Sequence, residues 1–134
     1  HTGISSEPES PDSENAVYYL TQIPGIDAVL AGHSHSVFPG PVFDQLPNTN
    51  METGEINGKP VVMAGAFGSR LGLIDLRLEK IVGTGTWKVV KANSFTRSIA
   101  DESGKSLVKT DIGLYRLVKP EHQETLDFIK KLGL

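Results

Sequence analysis

Asp27-Ala-Val-Leu-Ala-Gly-His-Ser-His-Ser36 constrains the fold more than any other stretch of the chain. The apolar run Ala28 to Ala31, bounded by polar residues, reads as a short strand buried on both faces. Gly32 lets the chain leave that strand sharply, because without a Cβ it tolerates backbone angles closed to other residues. His33 and His35 follow at once. In open α/β sheets ligands gather beyond the carboxyl ends of the strands, and both imidazoles fall there. An extended backbone past Gly32 points residues two apart the same way and brings both rings to one pocket. Two readings of the pair stay open: a loop whose imidazoles hydrogen-bond to nearby backbone, or a metal or catalytic site.

A third histidine, His1, heads His1-Thr2-Gly3-Ile4-Ser5, a small-residue loop of the sort that follows a strand. Three neutral imidazoles bring no negative charge to a divalent ion, so a hydrolytic site built on them needs carboxylates from elsewhere. The free α-amine beside the His1 ring is a further potential chelator. Because the chain opens on this histidine rather than on Met, it is expected to be a piece of a longer protein, with its preceding strand missing.

The totals narrow the partners. With 13 basic and 16 acidic residues the formal charge is −3, and no basic stripe with interleaved aromatics occurs, which argues against polymeric nucleic acid. No apolar run approaches the roughly 18 residues of a membrane span. The absence of cysteine excludes disulfides and thiolate metal sites but leaves the compartment open. At 134 residues the chain suits one modest domain with a real core.

In chain order, residues 5 to 12 are polar with two prolines and read as a loop. Asp12 or Ser13 can cap a helix from Glu14 to Ile23, with Ala16, Tyr19, Leu20 and Ile23 on its apolar face and Glu14 near the positive end of its dipole. Pro24-Gly25 ends it. That spacing favours core packing for Tyr19 over a base-stacking platform built with Tyr18. After the histidines, Phe38 reads as an anchor for the Pro39-Gly40-Pro41 turn rather than a shield over a pocket. Residues 44 to 58 read as irregular up to a hairpin turn at Asn57-Gly58, followed by a strand over Lys59 to Ala64. Gly65, Gly68 and Gly72 match neither the dinucleotide fingerprint nor the P-loop. Arg70, the one cation among them, reads as solvated or salt-bridged sooner than phosphate-binding. Leu71 to Glu79 alternates like a half-buried strand, and Trp87 to Phe95 pairs with it across Gly83-Thr84-Gly85. A final helix is expected at about 120–132, with Pro120 in its first turn and His122 a surface residue. Together these elements make an α/β piece whose incomplete sheet has exposed edges, open to a missing half or to self-association.

The stretch from Glu14 to Gly40, which holds Gly-His-Ser-His followed by Val-Phe-Pro-Gly, resembles the bacterial 2′,3′-cyclic-nucleotide 2′-phosphodiesterase/3′-nucleotidases. These belong to the 5′-nucleotidase group of calcineurin-like metallophosphoesterases. The likeness continues through residues 56–65 and 71–76 to the closing helix. It implies a calcineurin-like fold, a β-sandwich flanked by helices, of which residues 1–134 would be the C-terminal half of the catalytic domain. It also implies two divalent ions (Mn, Zn, Fe or Co), with His1 and His33 on one and His35 on the other. Ions about 3.5–4 Å apart share a hydroxide that attacks the phosphate of a 2′,3′-cyclic nucleotide or a nucleotide 3′-phosphate. The family's other motifs, Asp-x-His, Gly-Asp and Asn-His-Asp/Glu, occur nowhere in this sequence. They bring the bridging carboxylate and the leaving-group histidine, so no catalytic residue proper is expected here and the isolated piece is expected to be inactive. The family acts outside the cytoplasm, in the periplasm or at the cell wall. The alternative is a non-catalytic scaffold or interaction module that binds no metal.

Overall fold

The computed structural model describes residues 1–5 and 12–133, so most of the loop expected over residues 5 to 12 lies outside the described residues. The chain divides into two units, His1–Ile99 and Ala100–Leu134, and each is taken by itself. The first contains α1 (Val17–Leu20), β1 (Val29–Ala31), β2 (Val37–Phe38), β3 (Thr49–Asn50), β4 (Glu55–Ile56), β5 (Lys59–Ala64), β6 (Arg70–Lys80) and β7 (Trp87–Ser98). The second contains α2 (Ile112–Lys131).

β5 is central because its apolar residues suit a strand covered on both faces. Along one edge it pairs in parallel with β1, matching Val29 to Val61 and Ala31 to Met63. β2 adds to it antiparallel through Phe38 and Met63, and β4 through Ile56 and Lys59. β4 in turn pairs with β3, giving the order β1-β5-β4-β3. The β4–β5 turn is the expected one: Asn57 and Gly58 both take positive φ, 50° and 72°.

Side chains alternate across β5. Val61 and Met63 join Ile4, Val17, Tyr18, Phe38, Phe43, Leu46 and Ile56 in the buried core. Val62 points the other way, toward the β6–β7 ribbon: a Cβ built on Gly72 would sit 3.0 Å from Val62 Cγ2. The ribbon is antiparallel from Arg70 opposite Ser98 to Lys80 opposite Trp87, with an irregularity between Arg77 and Leu78. It is fastened to the β3–β4 turn where Ser94 N–H donates to Thr53 O at 2.8 Å. Sheet and ribbon thus make two layers on β5.

Four expectations change. β1 is not buried on both faces: Leu30 is 80% exposed, because β1 is an edge strand and Leu30 lies on the side away from the core. The helix expected over residues 14–23 is a single turn, Val17–Leu20, which follows Ala16 without a side-chain cap. Tyr18 is the buried tyrosine, its hydroxyl 3.4 Å from Asn48 Nδ2, where the longer helix would have turned Tyr19 inward. The last helix begins at Ile112, capped by Asp111, and contains Pro120 instead of starting there. Phe38 is an anchor, fully buried with its ring edge-on to Phe43, centroids 5.7 Å apart.

Candidate functional site

β1 and β5 run parallel, so their carboxyl ends release two loops at the same end of the sheet, 32–36 and 65–69. The two loops touch where Gly65 N–H donates to Ser36 O at 3.1 Å. This is the end at which open α/β sheets hold ligands.

The first loop does not continue extended past Gly32. His33 and His35 both sit in the left-handed region, with φ of 64° and 57°. Ser34 N–H donates to Gly32 O at 2.8 Å, closing a three-residue γ-turn around His33. With positive φ this is the rare, strained kind of γ-turn, and such strain persists only where the surroundings fix it. Ser34 helps to do so, its hydroxyl reaching Met63 Sδ of β5 at 3.4 Å.

Residues 1–4 lie beside this loop. Gly32 N–H donates to Thr2 O at 3.0 Å, and a Cβ on Gly32 would touch the His1 ring at 3.8 Å. Thr2 also ties this segment to the stretch before α1, its hydroxyl donating to Glu14 O and accepting from Ala16 N–H, both at 2.8 Å. Asn15 closes over Gly3, where any Cβ would collide with its Oδ1 and come within 2.7 Å of Ser34 Oγ.

Two ring contacts involve the three histidines. The His1 and His33 rings meet edge to face, with centroids 5.3 Å apart. The His35 ring lies 5.9 Å from that of Phe67 in the second loop. The extended backbone expected past Gly32 is replaced by left-handed residues at His33 and His35. Arg70 does not enter the pair; its guanidinium reaches across the ribbon to Thr96 Oγ1 at 3.5 Å. Among the described residues, no three His, Asp or Glu side chains converge as a ready-made metal cage.

Two residues join the site that the sequence did not single out for it. Glu14 Oε1 lies 2.8 Å from His33 Nε2, although 19 positions separate them in the chain, and no short motif encodes that contact. Phe67 is 98% exposed with φ of 56°, a ring held outward beside His35. The signal for Phe67 was its place between Gly65 and Gly68, two glycines that also take positive φ.

No family model matches the chain. The fold is that of part of a calcineurin-like phosphoesterase: 97% of the chain superposes on 37% of the crystal structure of the calcineurin-like phosphoesterase YfkN from Bacillus subtilis, with a TM-score of 0.84 and 37% identity. In sequence, the chain is 39% identical over 132 residues to the 2′,3′-cyclic-nucleotide 2′-phosphodiesterase/3′-nucleotidase of Salmonella typhimurium, covering 98% of this chain and 20% of that protein. The protein of the same name in Yersinia enterocolitica matches at 39% with the same coverage. The trifunctional nucleotide phosphoesterase protein YfkN of Bacillus subtilis matches at 39%, and the chain covers 9% of it. The chain thus spans about a fifth of the length of the cyclic-nucleotide relatives.

Proposed function

We propose that this chain is the C-terminal half of a metallophosphoesterase domain and brings three imidazoles to a dinuclear centre. That centre would hydrolyse 2′,3′-cyclic nucleotides and nucleotide 3′-phosphates. His1 and His33 would hold one divalent ion and His35 the second. The observation that carries this is the contact of the His1 and His33 rings beyond the β1 end, with His35 two residues on in the same loop. With a metal–nitrogen distance of about 2.1 Å, two imidazoles on one ion have centroids about 5 Å apart, which the first pair fits.

The donor chemistry fits a shared site rather than a complete one. Neutral imidazoles suit Mn, Fe, Zn or Co but leave the charge of each ion uncompensated, so acidic ligands must come from outside these residues. When bound, such a pair of ions activates water at neutral pH and offsets charge on the phosphoryl oxygens. The chain's own share is orientation. The γ-turn fixes His33, the Thr2 contacts fix His1 against it, and the contact between the 32–36 and 65–69 loops fixes the His35 side. The family likeness supports an extracytoplasmic location. Among the described residues no helix is long and apolar enough to cross a membrane.

The test is a chimera in which residues 1–134 replace the matching stretch of the Salmonella typhimurium relative. It should hydrolyse 2′,3′-cyclic nucleotides, and His33→Ala in it should lower turnover at least a hundredfold. A chimera that folds but turns over normally without His33 contradicts the proposal.

A further inference from the structure

We propose that Glu14 is a positioning residue that sets the tautomer and orientation of the His33 ring, leaving Nδ1 as the nitrogen offered to a cation. The inference rests on the histidine site proposed above.

Glu14 Oε1 and His33 Nε2 are 2.8 Å apart. An ionised carboxylate can only accept a hydrogen bond, so the hydrogen between them belongs to Nε2. A neutral imidazole with its hydrogen on Nε2 presents a bare lone pair at Nδ1, the form a metal ligand needs. A mere surface ion pair would leave both partners free to move, since the side chains are 35% and 76% exposed. Here both backbones are fixed. His33 sits in its strained turn, closed by Ser34 N–H on Gly32 O. Glu14 is fixed by the Thr2 hydroxyl on its carbonyl. Thr2 also receives Gly32 N–H on its own carbonyl, so one residue sets the spacing between the acid and the ring it orients. His1, the neighbour of Thr2, is carried into contact with His33 by the same bonds. An acid that orients a ligating histidine typically changes metal affinity by about 10- to 100-fold when removed.

The experiment follows the ring nitrogens of His33 by ¹⁵N NMR in the 134-residue chain, before and during titration with Zn²⁺. The wild type should show hydrogen on Nε2, and Zn²⁺ should perturb Nδ1. Glu14→Ala should mix the two tautomers and weaken Zn²⁺ binding about 10- to 100-fold. An alanine variant with the same tautomer and the same affinity overturns the proposal. Should that variant fail to fold, Glu14→Gln decides. Keeping the side chain without its charge should weaken Zn²⁺ binding several-fold, and unchanged binding with an unchanged tautomer overturns the proposal. Should the wild-type His33 nitrogens ignore Zn²⁺ in the chain alone, the tautomer comparison decides the role of Glu14, and an unchanged tautomer in Glu14→Ala overturns the proposal.

Discussion

His33 and His35 share a left-handed backbone, with φ of 64° and 57°, and the ring of one meets His1 while that of the other meets Phe67. In a strand, residues two apart point to the same side. Here the backbone on either side of Ser34 is left-handed, so that rule does not apply. A non-glycine residue in this conformation costs about 1–2 kcal/mol, because Cβ crowds the following carbonyl.

That cost gives a stability test independent of any ligand. His33→Gly and His33→Ala both remove the ring and its contact with Glu14. Only alanine keeps the backbone strain. The alanine variant should unfold in urea with about 1 kcal/mol less stability than the glycine variant. Equal stabilities would mean that the turn around His33 relaxes in solution.

The layering of the fold depends on a second left-handed position. Gly54 has φ of 68°, and a Cβ there would collide with the backbone oxygen of Ser94 and come within 2.6 Å of its Cβ. Gly54→Ala combines the backbone cost with overpacking against β7, on the order of 3 kcal/mol together. Its urea midpoint should fall accordingly, while Gly58→Ala, with nothing within 4 Å, should show only the backbone part. A Gly54→Ala variant no less stable than Gly58→Ala would contradict the close approach of ribbon and sheet.

In the second unit, Asp101 organises a turn. Its Oδ1 accepts from Ser103 Oγ at 2.7 Å and from the N–H groups of Ser103 and Lys105, each at 3.0 Å. The Ser103 hydroxyl, then the backbone of Lys105, hold its carboxyl below the ordinary aspartate value. Because the folded value is the lower one, the turn is fully favoured above the unfolded pKa and loses that support as pH falls through the folded one. Protection of the Ser103 and Lys105 amides, measured relative to their intrinsic exchange rates, should therefore fall on acidification below about pH 4. Ser103→Ala should raise the Asp101 pKa, read by carboxyl ¹³C shifts; an unmoved pKa would remove the hydroxyl as its cause.

α2 carries opposing features that one spectrum can weigh. Asp111 caps it, accepting from Leu114 N–H at 3.0 Å, and Asp111→Ala should cost about 1 kcal/mol of helix stability. Pro120 interrupts it, since proline brings no N–H for the Arg116 carbonyl and its ring crowds that turn. Pro120→Ala should deepen the helical circular-dichroism signal, and Asp111→Ala should weaken it. A Pro120→Ala variant with less helix would contradict a continuous Ile112–Lys131 element.

What the sequence disclosed and what it hid follow one division. The β5 strand, the Asn57-Gly58 turn and the β6–β7 ribbon were readable because alternation and turn chemistry are local. The edge position of β1 was not, because four apolar residues look alike whether or not a second layer covers Leu30. Pro120 misled because it sits easily at a helix start, and nothing nearby in sequence weighs that against the cap at Asp111. The site divided in the same way. Gly-His-x-His announced itself, whereas the Glu14–His33 contact depends on Thr2 holding two distant segments together.

The central claim is that His1 and His33 serve one ion and His35 another. Metal content decides it most directly, measured by elemental analysis on the Salmonella typhimurium chimera carrying residues 1–134 and on its single and double histidine-to-alanine variants. The unmutated chimera should retain two ions per chain. Each single variant should keep one ion, His1→Ala with His33→Ala should still keep one, and His33→Ala with His35→Ala should keep none. Two ions kept in all three single variants would contradict the account.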